Sequence, residues 1–167
     1  GFVVMLSDEQ GYIMDIMGDK DTLANAGKYN LSQGANWAEK AAGTNGIGTA
    51  LATQKPIQVS GAEHYCQRNH FWTCSAAPIF DKNKQIIGVL QMSGPALKAH
   101  LHTLGMVVAA VESISSQLKA QRTNRELTLL NHRINNILFN VSDGIIVTDE
   151  NGLILLANSA AEKILLK

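Results

Sequence analysis

The sequence predicts an α+β fold, with an antiparallel sheet flanked by helices, one long helix after it, and the first hairpin of a second domain at the end. Three observations predict it. Short β-branched runs bounded by turn residues recur near residues 2–14, 57–60, 73–81 and 85–93. Between and after them the apolar spacing changes from two to nearly 3.6, the helical period. Beyond Pro95 no proline interrupts that helical spacing before Asn140.

The opening "GFVVMLSDEQGYIMDIMGD" rises through Val3 and Val4, turns at Glu9-Gln10-Gly11 and returns through Tyr12, Ile13 and Met14, which predicts a hairpin. A chain that starts in a strand carries the expectation that further sequence precedes it. From Asp21 to Ala52 the spacing becomes helical and loop-like, with "WAEKAA" and then "TNGIGTALAT", where Thr44 or Asn45 can cap the second helix and Pro56 ends it. Extended segments follow at Ile57 to Ser60, Thr73 to Asp81 and Gln85 to Ser93, the last two joined by the turn "DKNK". That makes about five strands, with helices between and after them.

Gly94-Pro95 is expected to break the sheet, with Pro95 in the first turn of the long helix, where its missing N–H costs nothing. Leu97, Leu101, Leu104, Val108, Val111 and Leu118 form a first apolar seam. After the polar stretch "KAQRTNRE" a second seam runs through Leu127, Leu130, Ile134 and Ile137. At about 100° per residue, the nine steps from Leu118 to Leu127 turn the apolar face about half a turn round the helix. The first seam is therefore expected to pack on the sheet, and the second on the same helix of another copy, giving a homodimer. Such a rod, about 65 Å long at 1.5 Å per residue, would have to project in part. A break near Thr123, giving two ordinary helices, is the alternative.

Beyond Val141, "GIIVTDENGLIL" repeats the plan of the opening "GFVVMLSDEQGYIM": a β-run, an acidic turn ending in Gly, and a returning strand. So short a segment cannot bury its own core, so it predicts the beginning of a second domain. The expected divisions are 1–119 for a sensory domain, 96–140 for a linker and dimerisation helix, and 141–167 for that beginning.

Composition narrows the function. Lys+Arg and Asp+Glu both total 14, so no basic face points to nucleic acid or an anionic membrane. No apolar run approaches the roughly 20 residues of a membrane span, and a cytoplasmic location is expected. The charged fraction, 17%, falls below the usual quarter or so, which suggests surfaces covered by partners. Two cysteines are too few for a disulfide framework.

Both of those cysteines lie in "GAEHYCQRNHFWTCSAAPI" with His64, His70 and Trp72. His64, Cys66, His70 and Cys74 are metal-ligand types, but one loop and one strand carry all four, where structural zinc sites use two separated knuckles. No metal and no cofactor are expected. Without a C-x-x-C motif, Cys66 and Cys74 are more simply two thiols than a redox pair. "GTNGIGTAL" lacks the spacing of a phosphate loop, and its glycines suit a tight helix junction. The serines have no G-x-S-x-G elbow, so no catalytic residue is assigned and an enzyme is not expected. What this leaves is a mainly apolar hollow with a few polar handles, or a packed core made of the same residues.

The strings "WAEKAAGTNGIGTAL" at 37–51, "PIQVSGAEHYC" at 56–66, "TCSAAPIFD" at 73–81 and "IGVLQMSG" at 87–94 resemble the GAF sensory domain of bacterial sigma-54-dependent activators. The likeness covers most of residues 1–119, and the terminal segment is similar to the start of a PAS domain. The resemblance implies a transcriptional regulator that senses a small metabolite or a regulatory protein, and that reaches sigma-54 RNA polymerase and DNA only through domains outside this chain. Gly46 stands where the family pattern has alanine, and Gln91 where it has aspartate. Candidate ligand-binding residues are Trp37, Asn45, Thr49, His64, Trp72 and Cys74; candidate dimerisation residues are Leu127, Leu130, Ile134 and Ile137. Two alternatives stay open: the GAF–PAS input of a sensor kinase, and a GAF-fold thiol reductase for methionine sulfoxide.

Overall fold

A computed structural model describes residues 1–165 and divides the chain into two units, Gly1–Leu118 and Lys119–Lys167. In the first unit, strands β1 (Val3–Ser7), β2 (Ile13–Gly18), β3 (Ile57–Ser60), β4 (Trp72–Phe80) and β5 (Ile86–Pro95) form one antiparallel sheet in the order β2-β1-β5-β4-β3. The long strands β4 and β5 are central and almost continuously buried, as the run "CSAAPI" requires.

Helices α1 (Lys20–Gly27), α2 (Glu39–Ala42) and α3 (Gly46–Thr53) lie between β2 and β3. Asn45 caps α3, its side chain accepting from the Gly48 N–H at 2.9 Å. Gln54 closes it in the left-handed region at φ 56°, so Pro56 follows the helix end without forcing it.

Side chains alternate between the two faces of the sheet. Val3, Met5, Trp72, Cys74, Ala76 and Val89 join Ile47 and Ala50 of α3, together with Trp37 and Leu31, in the larger core. Leu6, Ala77, Ile79, Leu90 and Met92 point to the opposite face, against helix α4 (Leu101–Asn140). α4 is one continuous helix, so the break considered near Thr123 does not occur.

Its start differs from the expectation. Pro95 ends β5 opposite Trp72, residues Ala96–Lys98 form a separate 3-10 turn, and α4 begins at Leu101. Pro95 can stay in the strand because it sits at the end of the ladder, where a missing N–H is tolerated. Leu97 and Leu101, expected in the first seam, are therefore exposed; the stripe on the sheet is Val107 and Val111 with Val108, Ile114 and Leu118.

One turn design recurs three times. Asp8, Asp81 and Asp149 each use Oδ1 to accept the N–H groups two and four residues on, at 2.8–2.9 Å. The residue three on is left-handed in each: Gly11 at 87°, Lys84 at 60° and Gly152 at 83°. In the second unit this turn joins β6 (Ile146–Thr148) to β7 (Ile154–Ala157), and α5 (Ser159–Leu165) follows. Asn158, fully buried, donates to the carbonyls of Leu138 and Asp143 and accepts from the N–H groups of Ile145 and Ala161.

Candidate functional site

The candidate ligand residues fall on the α3 side of the sheet, and most of their polar groups are already engaged. Asn45 is 1% exposed; its Nδ2 donates to the carbonyls of Trp37 and Gly43 at 2.9 and 2.8 Å, besides the cap on Gly48. Trp37 donates its indole N–H to the Asn30 carbonyl at 2.9 Å. These bonds fasten α2 to the start of α3. Gly48 permits the closeness, since a Cβ there would meet the Trp37 carbonyl at 2.8 Å. Thr49 lies apart from the others and donates to the Glu39 carboxylate at 2.7 Å in an exposed bond.

His64 and Cys74 do meet. The imidazole Nε2 lies 3.4 Å from the sulfur, and Nδ1 lies 3.1 Å from the Gly61 carbonyl. A carbonyl can only accept, so Nδ1 carries the proton and Nε2 of the neutral ring accepts from the Cys74 S–H. Ser93 donates to the sulfur at 3.1 Å, and Gln91 Nε2 donates to Ser93 Oγ at 2.9 Å. The result is a one-directional buried chain, Gln91 to Ser93 to Cys74 to His64 to the Gly61 carbonyl. Burial pushes the Cys74 thiol up to about 11, against the opposing pull of the Ser93 hydroxyl and the Gly46 N–H. Burial also lowers His64, against the hydrogen bond to Gly61. Both effects keep the pair uncharged.

A neutral thiol that is 4% exposed makes a poor nucleophile. In native protein at pH 7, iodoacetamide is expected to modify Cys66 and leave Cys74 intact, with both modified after unfolding; peptide mass spectrometry reads the difference. Rapid native modification of Cys74 would revive the reductase alternative. Among the described residues, no three His, Cys, Asp or Glu side chains come together as metal ligands.

Trp72 is 2% exposed and packs edge-on to Tyr29 and Phe71, with ring centroids at 5.7 and 5.5 Å. Among the described residues its Nε1 has no hydrogen-bond partner, and neither has Gln91 Oε1. Sequence reasoning missed Gln91 and Ser93 as part of this cluster. Gln91 fills the space over Gly46, where an added Cβ would overlap its carboxamide oxygen and lie 2.9 Å from Cys74 Cβ. The two departures from the family pattern thus touch each other. The small residue at 46 makes room for the long one at 91.

On the other face, Pro56, Ala77, Pro78 and Phe80 form an open groove of about 520 Å³ with Val108, Val111, Glu112, Ser115 and Ser116 of α4. It is apolar but for Glu112 and the two serines, and sequence reasoning placed nothing there. Of the candidate dimerisation residues, Leu127, Leu130, Ile134 and Ile137 are 53, 52, 44 and 63% exposed on α4. No helix among the described residues is long and apolar enough to cross a membrane.

The family model described as GAF domain matches residues 2–118, and the one described as PAS fold matches residues 132–165. The chain is 40% identical to a signal-transduction and transcriptional-control protein of Clostridium beijerinckii, over 96% of this chain and 26% of that protein. It is 38% identical to the acetoin dehydrogenase operon transcriptional activator of Bacillus subtilis, over 77% of this chain and 21% of that protein. Its fold is that of a chain in the crystal structure of the E. coli DhaR(N)–DhaL complex, with TM-score 0.91 at 22% identity over 99% of this chain and 57% of that one. The chain thus spans about a quarter of the length of these curated relatives. They are regulators of transcription, not enzymes.

Proposed function

The chain belongs to the GAF domain family, and on that premise we propose that it is the sensory input region of a bacterial sigma-54-dependent transcriptional regulator. It senses a small metabolite or a regulatory protein in the cytoplasm, as a homodimer paired through the α4 residues Leu127, Leu130, Ile134 and Ile137. The signal passes along α4 toward the PAS segment. Polymerase and DNA are reached only through other parts of the whole protein.

The observation that carries this reading is α4 itself, which packs Val107 and Val111 on the sheet while leaving four bulky apolar residues exposed further along the same helix. A change in the sheet domain that moves the first stripe must move the second, which is what a two-state signalling element needs. Coupling of this kind amounts to about 1–3 kcal/mol.

Two features favour a protein signal over a metabolite. The similar E. coli chain was crystallised in a complex with DhaL. In addition, a metabolite held by Trp37, Asn45, Thr49, His64, Trp72 and Cys74 would have to displace Gln91 from over Gly46 and break existing hydrogen bonds. Native mass spectrometry of the full regulator purified from its own cells tests the reading. A retained protein subunit that shifts transcription of the target operon is expected. A retained small molecule that does so instead would assign the inner residues to a ligand. A regulator whose output is indifferent to every retained species would refute the sensory role.

A further inference from the structure

Sorting α4 by sevens from Leu127 gives a seam at Met106, Ala109, Ser113, Ser116, Ala120, Thr123, Leu127, Leu130, Ile134 and Ile137, with alternating steps of three and four. Every one of these residues is exposed. The stripe packed on the sheet, Val107, Val111, Ile114 and Leu118, occupies the positions diametrically opposite. The exposed seam therefore runs back along the helix well beyond the four bulky residues. Its first half is small and its second half bulky.

We propose that the partner on this seam is a second copy of the chain running antiparallel, with Met106 facing Ile137, Ala109 facing Ile134, Ser113 facing Leu130, Ser116 facing Leu127, and Ala120 facing Thr123. This rests on the homodimer proposed above and adds its direction and register. Two independent features select the arrangement. The first is volume: in four of the five layers a small or flexible residue meets a β-branched or leucine side chain, so the layers fill evenly. In a parallel pair Ser113 and Ser116 would face themselves while Leu130 and Leu127 crowded their own kind.

The second is charge. The residues flanking the seam on one side are Glu112, Lys119, Glu126 and Arg133, alternating in sign. In antiparallel coiled helices this flank meets itself, so Glu112 faces Arg133 of the second copy and Lys119 faces Glu126. Glu112 is the carboxylate in the apolar groove beside Val108 and Ser115, and the guanidinium gives it a counterion there. Sliding the pair by one heptad one way sets Glu126 against itself and Lys119 against Arg133. Sliding it the other way sets Glu112 against Glu126 and Lys119 against itself. A parallel pair leaves the four charges facing Gln117, Asn124, Asn131 and Leu138. Only one register pairs every charge with its opposite.

Cysteine cross-linking in a Cys66→Ser background tests this, with Cys74 left buried. Neither Ser113→Cys nor Leu130→Cys alone is expected to form a linked dimer under mild oxidation. An equimolar mixture after subunit exchange is expected to link, because only the mixture brings the two thiols face to face. Glu112→Arg is expected to weaken the dimer about three- to tenfold, as exposed charge pairs allow, and adding Arg133→Glu to restore it. Linking of Leu130→Cys alone would mean a parallel dimer, overturning the proposal while the homodimer stands. A dimer in light scattering that links in no combination, or that the second charge change does not restore, also overturns it. A monomer under all conditions overturns the homodimer itself.

Discussion

Changing Leu130 and Ile134 together to glutamate is expected to turn the dimer into a monomer, with the sheet domain still folded. Both side chains are about half exposed on α4, so in one chain they contribute little to stability and their replacement leaves the fold intact. In a dimer each would bury most of an aliphatic side chain, worth about 1.5–3 kcal/mol apiece. Two per chain and two chains put the loss at several kcal/mol, before the cost of burying four carboxylates. Each 1.4 kcal/mol is tenfold in affinity, so the dissociation constant rises more than about a hundredfold. Light scattering reads the mass, and the melting of residues 1–118, followed through the tryptophans, reads the fold. A dimer that survives would show that this part of α4 is not the interface. An unfolded sheet domain would show that these residues serve stability, and Leu130→Ser with Ile134→Ser, milder changes at the same places, then separates the two effects.

What could be read from the sequence depended on how local its cause was. The hairpin turns were legible because Asp8, Asp81 and Asp149 bond to N–H groups two and four residues on, so each turn is determined within five residues. The Asn45 cap was legible for the same reason. The start of α4 was not, because Gly94-Pro95 breaks a helix and ends a strand equally well, and only the pairing of Pro95 with Trp72 decides between them. Misplacing that start put Leu97 and Leu101 in the packed stripe and missed Val107. The stepwise half-turn between the two apolar seams, by contrast, follows from helix geometry alone.

The inner cluster divides along the same line. His64, Trp72 and Cys74 stand out in the sequence as residue types that do chemistry, and the structure gathers them. Gln91 and Ser93 carry no such signal. They reach Cys74 because β5 lies beside β4 with Ser93 opposite Cys74, a register that nothing within either strand announces. Alternation along β5 from Val89 would have placed Gln91 and Ser93 on the inner face, and that was the available clue.

Gly46→Ala is expected to destabilise the sheet domain, and Gln91→Asn to repair it. Alanine is the better helix former by up to about 1 kcal/mol, so on local grounds the change should help. The new Cβ, however, overlaps the Gln91 carboxamide and crowds Cys74 at 2.9 Å, in an interior where Cys74, Gln91 and Ser93 are all nearly inaccessible. Overpacking of this kind costs about 1–3 kcal/mol. It also threatens the bond from Gln91 to Ser93, and a buried donor left unpaired costs about as much again. The net is a loss of about 2 kcal/mol in denaturant unfolding. Asn at 91 removes one methylene and withdraws the amide from over residue 46, so in the wild-type background it opens a small void and costs about 1 kcal/mol. Combined, the clash and the void cancel, and the double variant should unfold near the wild-type midpoint with an interaction term of at least about 1 kcal/mol, since contacting residues do not add. Additive losses would mean that the space over Gly46 is not filled by Gln91. That space would then be open to a ligand, and Trp37, Asn45, His64 and Cys74 would line a chamber instead of closing one.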